Sequence, residues 1–136
     1  MKLVIDNNIF FSLMKPSSFT SLLLQKYNLK LLAPNFIKSE LDEHESECQQ
    51  KSTLAKLEFL QRRKFIESQI QFIDVQEYKA FLKKAIRLLS DLDDAPYLAC
   101  ALSQNTPLWS LDPHLKQQSL IPILSTRELI TILPFE

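Results

Sequence analysis

Five short apolar runs punctuate the chain, and amphipathic helical patterns separate them. The apolar runs cover residues 3–5, 29–33, 71–75, 107–111 and 121–124. Helical spacing of apolar residues predicts helices over 18–27, 35–48, 52–64, 75–89, 95–103 and 126–133. Short apolar strands that alternate with helices are typical of parallel βαβ units. The pattern therefore predicts an α/β fold with a central parallel sheet of about five strands and helices on both faces.

Length and composition are those of an ordinary globular protein. The chain has 136 residues, of which 46% are hydrophobic and 24% charged, so we expect a single domain over 1–136. No stretch approaches the roughly 20 apolar residues of a membrane span, and Asp6 interrupts the first run too early for a signal peptide. These features predict a cytoplasmic protein. Cys48 and Cys100 lack metal-ligand spacing, so we expect reduced thiols, with Cys100 in the core.

Net charge and the absence of glycine exclude several kinds of site. Sixteen basic and sixteen acidic residues cancel, so bulk charge gives no affinity for nucleic acid. Two basic clusters, 61–64 and Lys83-Lys84 with Arg87, could contact phosphate, although short basic runs are more commonly solvated helix faces. Without glycine there is no Gly-rich phosphate loop. Left-handed turn positions must then fall to Asn or Asp, so some of these residues serve turns only.

Two aspartates directly follow predicted strands. Asp6 comes after the run 3–5 and before a turn into a helix, and Asp112 comes after the fourth strand and before Pro113. Each could simply be a helix cap or an Asx turn, which are common roles of Asp in such places. In open α/β sheets, however, ligand sites form at the carboxyl ends of the strands. Neither acid alone decides between the two roles.

Helical spacing directs Glu40 inward. The segment after Pro34 begins like a helix, and Glu40 lies four residues after Phe36 and three after Ile37, on the apolar face. A carboxylate that points at the core must be paired, hydrogen-bonded or metal-bound. Glu40 is therefore a candidate functional residue.

The stretch 91–96, DLDDAP, crowds three acids before an apolar helix. Pro96 fits only the first helical turn, so the helix is expected to begin near Asp93 or Asp94. One Asp suffices as a cap and gains roughly 0.3–1 kcal/mol from the helix dipole. Two carboxylates ~4 Å apart repel by ~4 kcal/mol at an effective dielectric of ~20, unless they splay into water. The stretch leaves both capping and ligand binding open.

Four acids are expected to converge at one rim of the sheet: Asp6, Glu40, Asp94 and Asp112. Such carboxylates repel one another or take up protons, and a divalent cation removes that cost. All-oxygen ligands favour Mg²⁺ or Mn²⁺ over zinc, which prefers His and Cys. The two histidines do not form a spaced metal-binding pair. His44 is expected on a solvated helix face, and His114 is a candidate for contacting substrate.

The order of these acids resembles the PIN domain family, whose members include the toxins of many prokaryotic toxin–antitoxin pairs. The likeness covers nearly the whole chain, in the segments LVIDNN, IKSELDEH, DLDDAPYLACAL and PLWSLD. These segments place the family's four acids on Asp6, Glu40, Asp94 and Asp112. Asn8 and Ser110 match its nearby polar positions, and Asp93 is an extra acid found in one branch. The chain departs from the family at Leu115, an often aromatic position, which bears on substrate contacts.

The resemblance implies a three-layer α/β/α fold and metal-dependent hydrolysis of RNA phosphodiester bonds. It implies a Mg²⁺ or Mn²⁺ ion held by Asp6, Asp94 and Asp112, with Glu40 binding directly or through water and Asp93 assisting. Asn8 and Ser110 would orient the ligands or the phosphate. Contacts with the RNA backbone would fall to the basic residues Arg62, Arg63 and Lys64.

The likeness also implies partners, and two other functions stand beside the one that it implies. It implies a small antitoxin as protein partner and a homodimer, for which apolar residues of the helical pair 35–64 could serve unless they belong to the core. A second function is a non-catalytic PIN-like module that binds RNA or a protein, although a complete set of acids argues against it. A third is a small α/β domain whose acids are only helix caps.

Overall fold

The computed structural model describes residues 1–134, and its strands form one parallel sheet. The strands are β1 (Lys2–Ile5), β2 (Lys30–Pro34), β3 (Ile70–Ile73), β4 (Leu108–Trp109) and β5 (Ile123–Leu124). Their order is β3-β2-β1-β4-β5, and each neighbouring pair runs parallel. The predicted sheet is therefore confirmed. The predicted single domain also includes residues 135 and 136, which lie outside the described residues.

Helices cover both faces of the sheet, which confirms the three-layer α/β/α arrangement. Within residues 1–134 they are α1 (Asn7–Leu13), α2 (Phe19–Lys26), α3 (Phe36–Glu43), α4 (Glu45–Ser52), α5 (Lys56–Ser68), α6 (Val75–Tyr78), α7 (Leu82–Leu88), α8 (Ala95–Gln104) and α9 (Thr126–Ile132). None of them is long and apolar enough to cross a bilayer. α8 packs across β1, β2 and β4 and is itself covered by α6 and α7. Its buried alanines and Cys100 permit this close approach to the sheet.

The central strand β1 determines where a site can form. Leu3, Val4 and Ile5 are completely buried, as expected for a strand with neighbours on both sides and helices on both faces. Val4 pairs with Leu32 of β2 and with Leu108 of β4. Because the strands are parallel, their carboxyl ends meet at one edge of the sheet. Residues that follow β1 and β4 therefore become neighbours there.

Two helices that the sequence predicts as continuous are interrupted. The segment 35–48 divides into α3 and α4 at His44, whose φ of −108° and ψ of 19° are not helical. Glu45 and Glu47 lie in the first turn of α4, where the helix dipole favours acids and supports a new start. His44, expected on a solvated face, is half-buried at this junction. The segment 75–89 divides into α6, a 3₁₀ turn at Lys79–Phe81 and α7.

The helix predicted over 52–64 begins later because Thr53 ends α4 in the left-handed conformation. Thr53 has a φ of 63°, a conformation that the sequence predicts only for Asn or Asp in this glycine-free chain. Asn105, which ends α8 with a φ of 47°, fits that prediction. After Thr53 the chain needs a new helix start, and Glu58 provides it by accepting a hydrogen bond from the Ala55 N–H at 3.2 Å.

The apolar face of α5 also differs from the predicted one. The apolar spacing that predicts the helix 52–64 includes Leu57 and Leu60, which would then face the core; both are exposed, whereas Phe59 and Ile66 are buried. Phe59 and Ile66 are seven residues apart, so they lie on one side of the helix. The core therefore meets the side of α5 that carries Phe59 and Ile66.

Both cysteines are buried and free. Burial raises the pKa of the Cys48 thiol to about 11 and that of the Cys100 thiol to about 12. Both thiols are therefore protonated at neutral pH and are poor nucleophiles. Cys100 lies in the core, as predicted.

Candidate active site

Asp6 lies at the carboxyl end of β1 and is only 1% exposed. Its Oδ1 caps α1 by accepting from the Ile9 N–H at 3.0 Å, and its Oδ2 accepts from the hydroxyl of Ser110. Burial raises the pKa of Asp6 from 3.8 to about 6; the two hydrogen bonds oppose this rise, and the charge of Asp112 adds to it. Asp6 therefore caps α1 and also lies near Asp112. Its role as a helix cap does not exclude a role in binding a ligand.

Asp94 and Asp112 are in hydrogen-bonding contact at the same edge. Asp94 ends a 3₁₀ turn, Leu92–Asp94, directly before α8. Burial, the hydrogen bond with Asp112 and the charges of neighbouring acids raise the pKa of Asp94 to about 7. Burial also acts on Asp112, but hydrogen bonds with His114 and Asp94 outweigh it and lower the pKa of Asp112. Ionising both carboxyls of this pair is therefore unfavourable, and the pair holds a proton to higher pH than a lone aspartate does.

The three acids of the stretch 91–94 have separate positions. Asp91 caps the 3₁₀ turn, because its Oδ1 accepts from the Asp93 N–H at 3.0 Å. Asp93 is exposed, and the side chain of Asp94 caps nothing. Because Asp91 already supplies the cap, Asp94 is available for contact with Asp112. The assisting role expected of Asp93 stays a prediction.

Glu40 is held by two side-chain donors from other elements. The phenol of Tyr97 donates to its Oε1, and the amide of Asn7 donates to its Oε2 at 3.2 Å. Burial, the hydrogen bond with Glu40 and the charges of Glu40, Asp6 and Asp94 raise the pKa of Tyr97 far above its ordinary value. Tyr97 therefore holds Glu40 through a hydrogen bond and lies near enough to Asp6 and Asp94 for their charges to raise its pKa.

Sequence reasoning missed Tyr97 and Asn7. It assigned the polar position after Asp6 to Asn8, but Asn8 is exposed and lines a neighbouring cleft, whereas Asn7 contacts Glu40. The signal for Tyr97 was its position three residues after Asp94, a spacing that brings side chains to one side of a helix. The orienting role expected of Asn8 stays a prediction.

The basic residues predicted to bind RNA make contacts within the protein. Arg62 donates to the Leu13 carbonyl and to the Ser21 hydroxyl, each at 3.1 Å. Arg63 forms ion pairs with three acids, Asp42, Glu45 and Glu67. Lys64 is exposed. Two of the three cations therefore tie α5 to the rest of the fold, and the RNA contact of all three stays a prediction.

His114 and Leu115 follow Asp112 in a 3₁₀ helix, Pro113–Gln117. Asp112 Oδ1 accepts from the His114 N–H at 2.9 Å and lies 3.0 Å from its Nδ1. His114 is therefore beside the acids, and its predicted substrate contact stays a prediction. Leu115, at the position that the family resemblance gives as often aromatic, is completely buried. In this chain the side chain at that position packs in the core.

The donors at this edge suit a hard divalent cation in their chemistry. Asp6, Asp94 and Asp112 offer only oxygen atoms, and the raised pKa values of Asp6 and Asp94 reflect crowded negative charge that a cation could balance. Within residues 1–134, no three His, Cys, Asp or Glu side chains stand close enough together to hold a metal ion as they are. Coordination by all three acids would therefore require side-chain rotation.

The family of the chain follows from its similarity to known proteins. A family model described as PIN domain matches residues 4–131. The chain belongs to the PIN domain family. The matched residues include all four predicted acids and the elements that carry them, so the resemblance seen in the sequence is confirmed. Among curated proteins, no sequence matches this PIN domain.

Two solved structures are similar to this PIN domain. One is VapBC2 from Rickettsia felis, bound to a DNA fragment from its promoter. Its sequence is 16% identical, the TM-score is 0.65, and the match covers 92% of this chain and 98% of that chain. The other is a toxin–antitoxin complex from Klebsiella pneumoniae, with 17% identity, a TM-score of 0.63 and coverage of 88% and 94%. At these identities the likeness establishes the fold.

Proposed function

We propose that this PIN domain is an endoribonuclease that hydrolyses RNA phosphodiester bonds with Mg²⁺ or Mn²⁺. The observation that carries the proposal is the contact of Asp94 with Asp112 beside the buried Asp6, at the carboxyl ends of β1 and β4. Holding these acids together is unfavourable at neutral pH, as the raised pKa values of Asp6 and Asp94 indicate. A cation site accounts for that cost, whereas helix capping alone does not require it.

Asp6, Asp94 and Asp112 would hold the ion, and Glu40 would bind it directly or through water. When bound, the ion would polarise the phosphate and lower the pKa of the attacking water. Mg²⁺ or Mn²⁺ is favoured because the donors are carboxylate oxygens.

Other side chains would keep the acids in position. Ser110 donates to Asp6, and its oxygen accepts from the Asp112 N–H at 3.0 Å, so it sets the spacing between these acids. Tyr97 and Asn7 each donate to one oxygen of Glu40 and restrict its rotation. Carboxylates that are already oriented lose less conformational freedom when they bind an ion or a water molecule.

The test is a Mn²⁺ titration followed by melting temperature and RNA cleavage together. Asp94→Asn should raise the melting temperature of the metal-free protein, remove its further rise with Mn²⁺ and abolish cleavage. Asp74→Asn is the control, because Asp74 lies outside the carboxylate site but, like Asp6, follows a strand and caps a helix, accepting from the Gln76 N–H at 2.9 Å. Asp74 follows the edge strand β3. Asp74→Asn should therefore keep both the rise in melting temperature with Mn²⁺ and the cleavage of RNA.

Each other function predicts a different result. Cleavage that persists in EDTA or in Asp94→Asn would refute the metal-dependent ribonuclease. Binding of Mn²⁺ without cleavage of any of several RNAs would favour the non-catalytic PIN-like module. If the acids were only caps, Mn²⁺ would leave the melting temperature unchanged.

The protein partner that we infer is a small antitoxin. Both similar structures are described as VapBC or toxin–antitoxin complexes, and a ribonuclease active in the cytoplasm would need such control. Expression of the chain in a bacterial host should stop growth, whereas expression of Asp94→Asn should not. Co-expression of a small protein encoded next to this chain's own gene should restore growth. Normal growth with the wild-type chain would argue against a toxin.

Exposed apolar side chains on α5 could form the interface of the expected homodimer. Leu57 is 68% exposed and Leu60 is 41% exposed, and both lie on the helical pair that the sequence indicated. Sedimentation of the full chain over a range of concentrations would measure whether it dimerises.

A further inference from the structure

A cleft of about 460 Å³ lies beside the carboxylate site. Its lining residues come from α1, the segment after it and the junction of α3 with α4; those used below are Asn7, Asn8, Phe11, Lys15, His44 and Lys51. The cleft is continuous with the site, because Asn7 lines it and donates to Glu40 at 3.2 Å. A cleft of this size is in the range of small-molecule sites and can take a nucleotide.

Phe11 and His44 give the cleft an aromatic wall. Their ring centroids are 6.1 Å apart in an edge-to-face arrangement, and both side chains are half-buried, so part of each remains accessible. Nucleic-acid bases stack on aromatic side chains with about 1–3 kcal/mol per base. The amides of Asn7 and Asn8 add donors and acceptors for base edges.

The charges of the cleft suit one phosphate group. Lys51 pairs with Glu47 at 2.9 Å, and the same acid lies 3.9 Å from His44. Lys15 is exposed and takes part in no ion pair within residues 1–134. The cleft therefore offers one cation whose charge is not shared with an acid. A phosphodiester group carries the single negative charge that such a lysine can bind.

We propose that this cleft binds one nucleotide of a single-stranded RNA substrate, with the base against Phe11 and His44 and the phosphate at Lys15. The proposal rests on the proposed ribonuclease function, because the cleft and the carboxylates share Asn7. Single-stranded RNA is the fitting form, since a base within a duplex cannot present its face to a side chain. The nucleotide in the cleft would then influence which bond is cleaved.

Binding without cleavage tests the cleft separately from catalysis. The full chain carrying Asp94→Asn is titrated with Mg²⁺ present into a short fluorescein-labelled single-stranded RNA, and anisotropy measures the affinity. Adding Phe11→Leu should weaken binding about fivefold or more. Adding Lys15→Ala should weaken it by about two- to fivefold and reduce its dependence on salt. An RNA with abasic positions should bind more weakly than the normal RNA. Because it has no base to stack, Phe11→Leu should not weaken its binding further.

Matched controls separate local effects from general ones. Phe81→Leu removes a ring that is also half-buried, but from the 3₁₀ turn against α8. Lys30→Ala removes a cation from the start of β2, at the edge of the sheet opposite the carboxylates. Both should bind RNA like the Asp94→Asn parent. Melting temperatures verify folding, and His44→Gln provides a second variant of the aromatic wall should Phe11→Leu unfold.

The outcomes distinguish this proposal from the proposed function. If Phe11→Leu, His44→Gln and Lys15→Ala all bind like the Asp94→Asn parent while the wild-type chain cleaves the same RNA, the cleft proposal fails and the ribonuclease stands. If the wild-type chain neither binds nor cleaves RNA, both fail. If Phe11→Leu weakens the binding of normal RNA and of abasic RNA by the same factor, the base does not lie against Phe11.

Discussion

The hydroxyl of Ser110 donates to Asp6 and so joins the carboxyl ends of β4 and β1, 104 residues apart in sequence. The same oxygen accepts from the Asp112 N–H at 3.0 Å. Ser110 is only 2% exposed, so bulk water cannot replace these hydrogen bonds. The position of two acids of the site is therefore set by a side chain that carries no charge.

Ser110→Ala should destabilise the protein and change the ionisation of Asp6. It leaves a buried carboxyl without its hydroxyl donor, and we expect a loss of about 1–3 kcal/mol in the free energy of unfolding. The pKa of Asp6 should rise above about 6, because the bond from Ser110 lowers it. Urea unfolding and an NMR titration of the Asp6 carboxyl measure the two effects.

Ser103→Ala is the control for this substitution, because Ser103 donates only to the Cys100 carbonyl within its own helix. It should leave the pKa of Asp6 unchanged. An unchanged pKa in Ser110→Ala as well would show that the Ser110 hydroxyl does not act on Asp6.

The stability of the metal-free protein should fall as pH rises through the folded-state pKa values of Asp6 and Asp94. These values are about 6 and about 7, above the usual 3.8. From about pH 4 to pH 7 the folded protein keeps protons that the unfolded chain releases, so the free energy of unfolding decreases with pH. For the buried Asp6 alone the decrease is on the order of 2 kcal/mol.

Urea unfolding in EDTA over this pH range measures the effect. Asp94→Asn should remove the part of the decrease nearest neutral pH, and Mn²⁺ added above about pH 7 should restore stability to the wild-type chain. The lowered pKa values of Asp112, Glu47 and Glu128 act in the opposite sense, but only toward more acidic pH. A free energy of unfolding that increases between about pH 5 and pH 7 would contradict the assigned ionisation.

The sequence could place Asp6 and Asp112 because their positions depend on local signals. A short apolar run predicts each strand, and parallel pairing brings the ends of the strands to one edge. Asn7 could not be distinguished from Asn8 in the same way. Successive residues of a helix point about 100° apart, so the choice depends on how α1 is rotated against α3, which is determined by tertiary packing.

The helix boundaries show the same division between local and tertiary causes. Apolar spacing predicts the existence of the helices, but it continues past His44 and cannot reveal the break there. Thr53 in a left-handed conformation goes against its own local preference, and it shifts the start of α5. Leu57 and Leu60 are exposed and Phe59 is buried, because the core lies on the side of α5 that carries Phe59; apolar spacing cannot reveal this, since both sides of the helix carry apolar residues.

Tyr97→Phe should lower RNA cleavage while leaving the fold intact. The substitution removes the donor to Glu40 but keeps the ring, whose centroid lies 6.1 Å from that of Phe36. We expect cleavage to fall by about ten- to a hundredfold, as for other residues that orient metal ligands, with little change in melting temperature. Single-turnover cleavage and thermal unfolding measure the two properties.

Tyr78→Phe is the matched control, because Tyr78 is also a buried tyrosine but lies on α6. It should cleave RNA like the wild-type chain. If Tyr97→Phe also retains full activity, the orientation of Glu40 by the phenol has no part in the reaction.

Thr53→Asn should stabilise the protein, because asparagine tolerates the left-handed conformation that a β-branched residue resists. Thr53 has a φ of 63°, and among residues 1–134 its hydroxyl bonds only to the adjacent Ser52 carbonyl, at 2.6 Å. We expect a gain of about 1 kcal/mol in the free energy of unfolding, measured in urea. Asn105→Thr is the reciprocal change at a φ of 47°, and it should destabilise by a similar amount. If both substitutions move stability in the same direction, backbone conformation does not govern these two helix ends, and side-chain contacts would have to account for both effects.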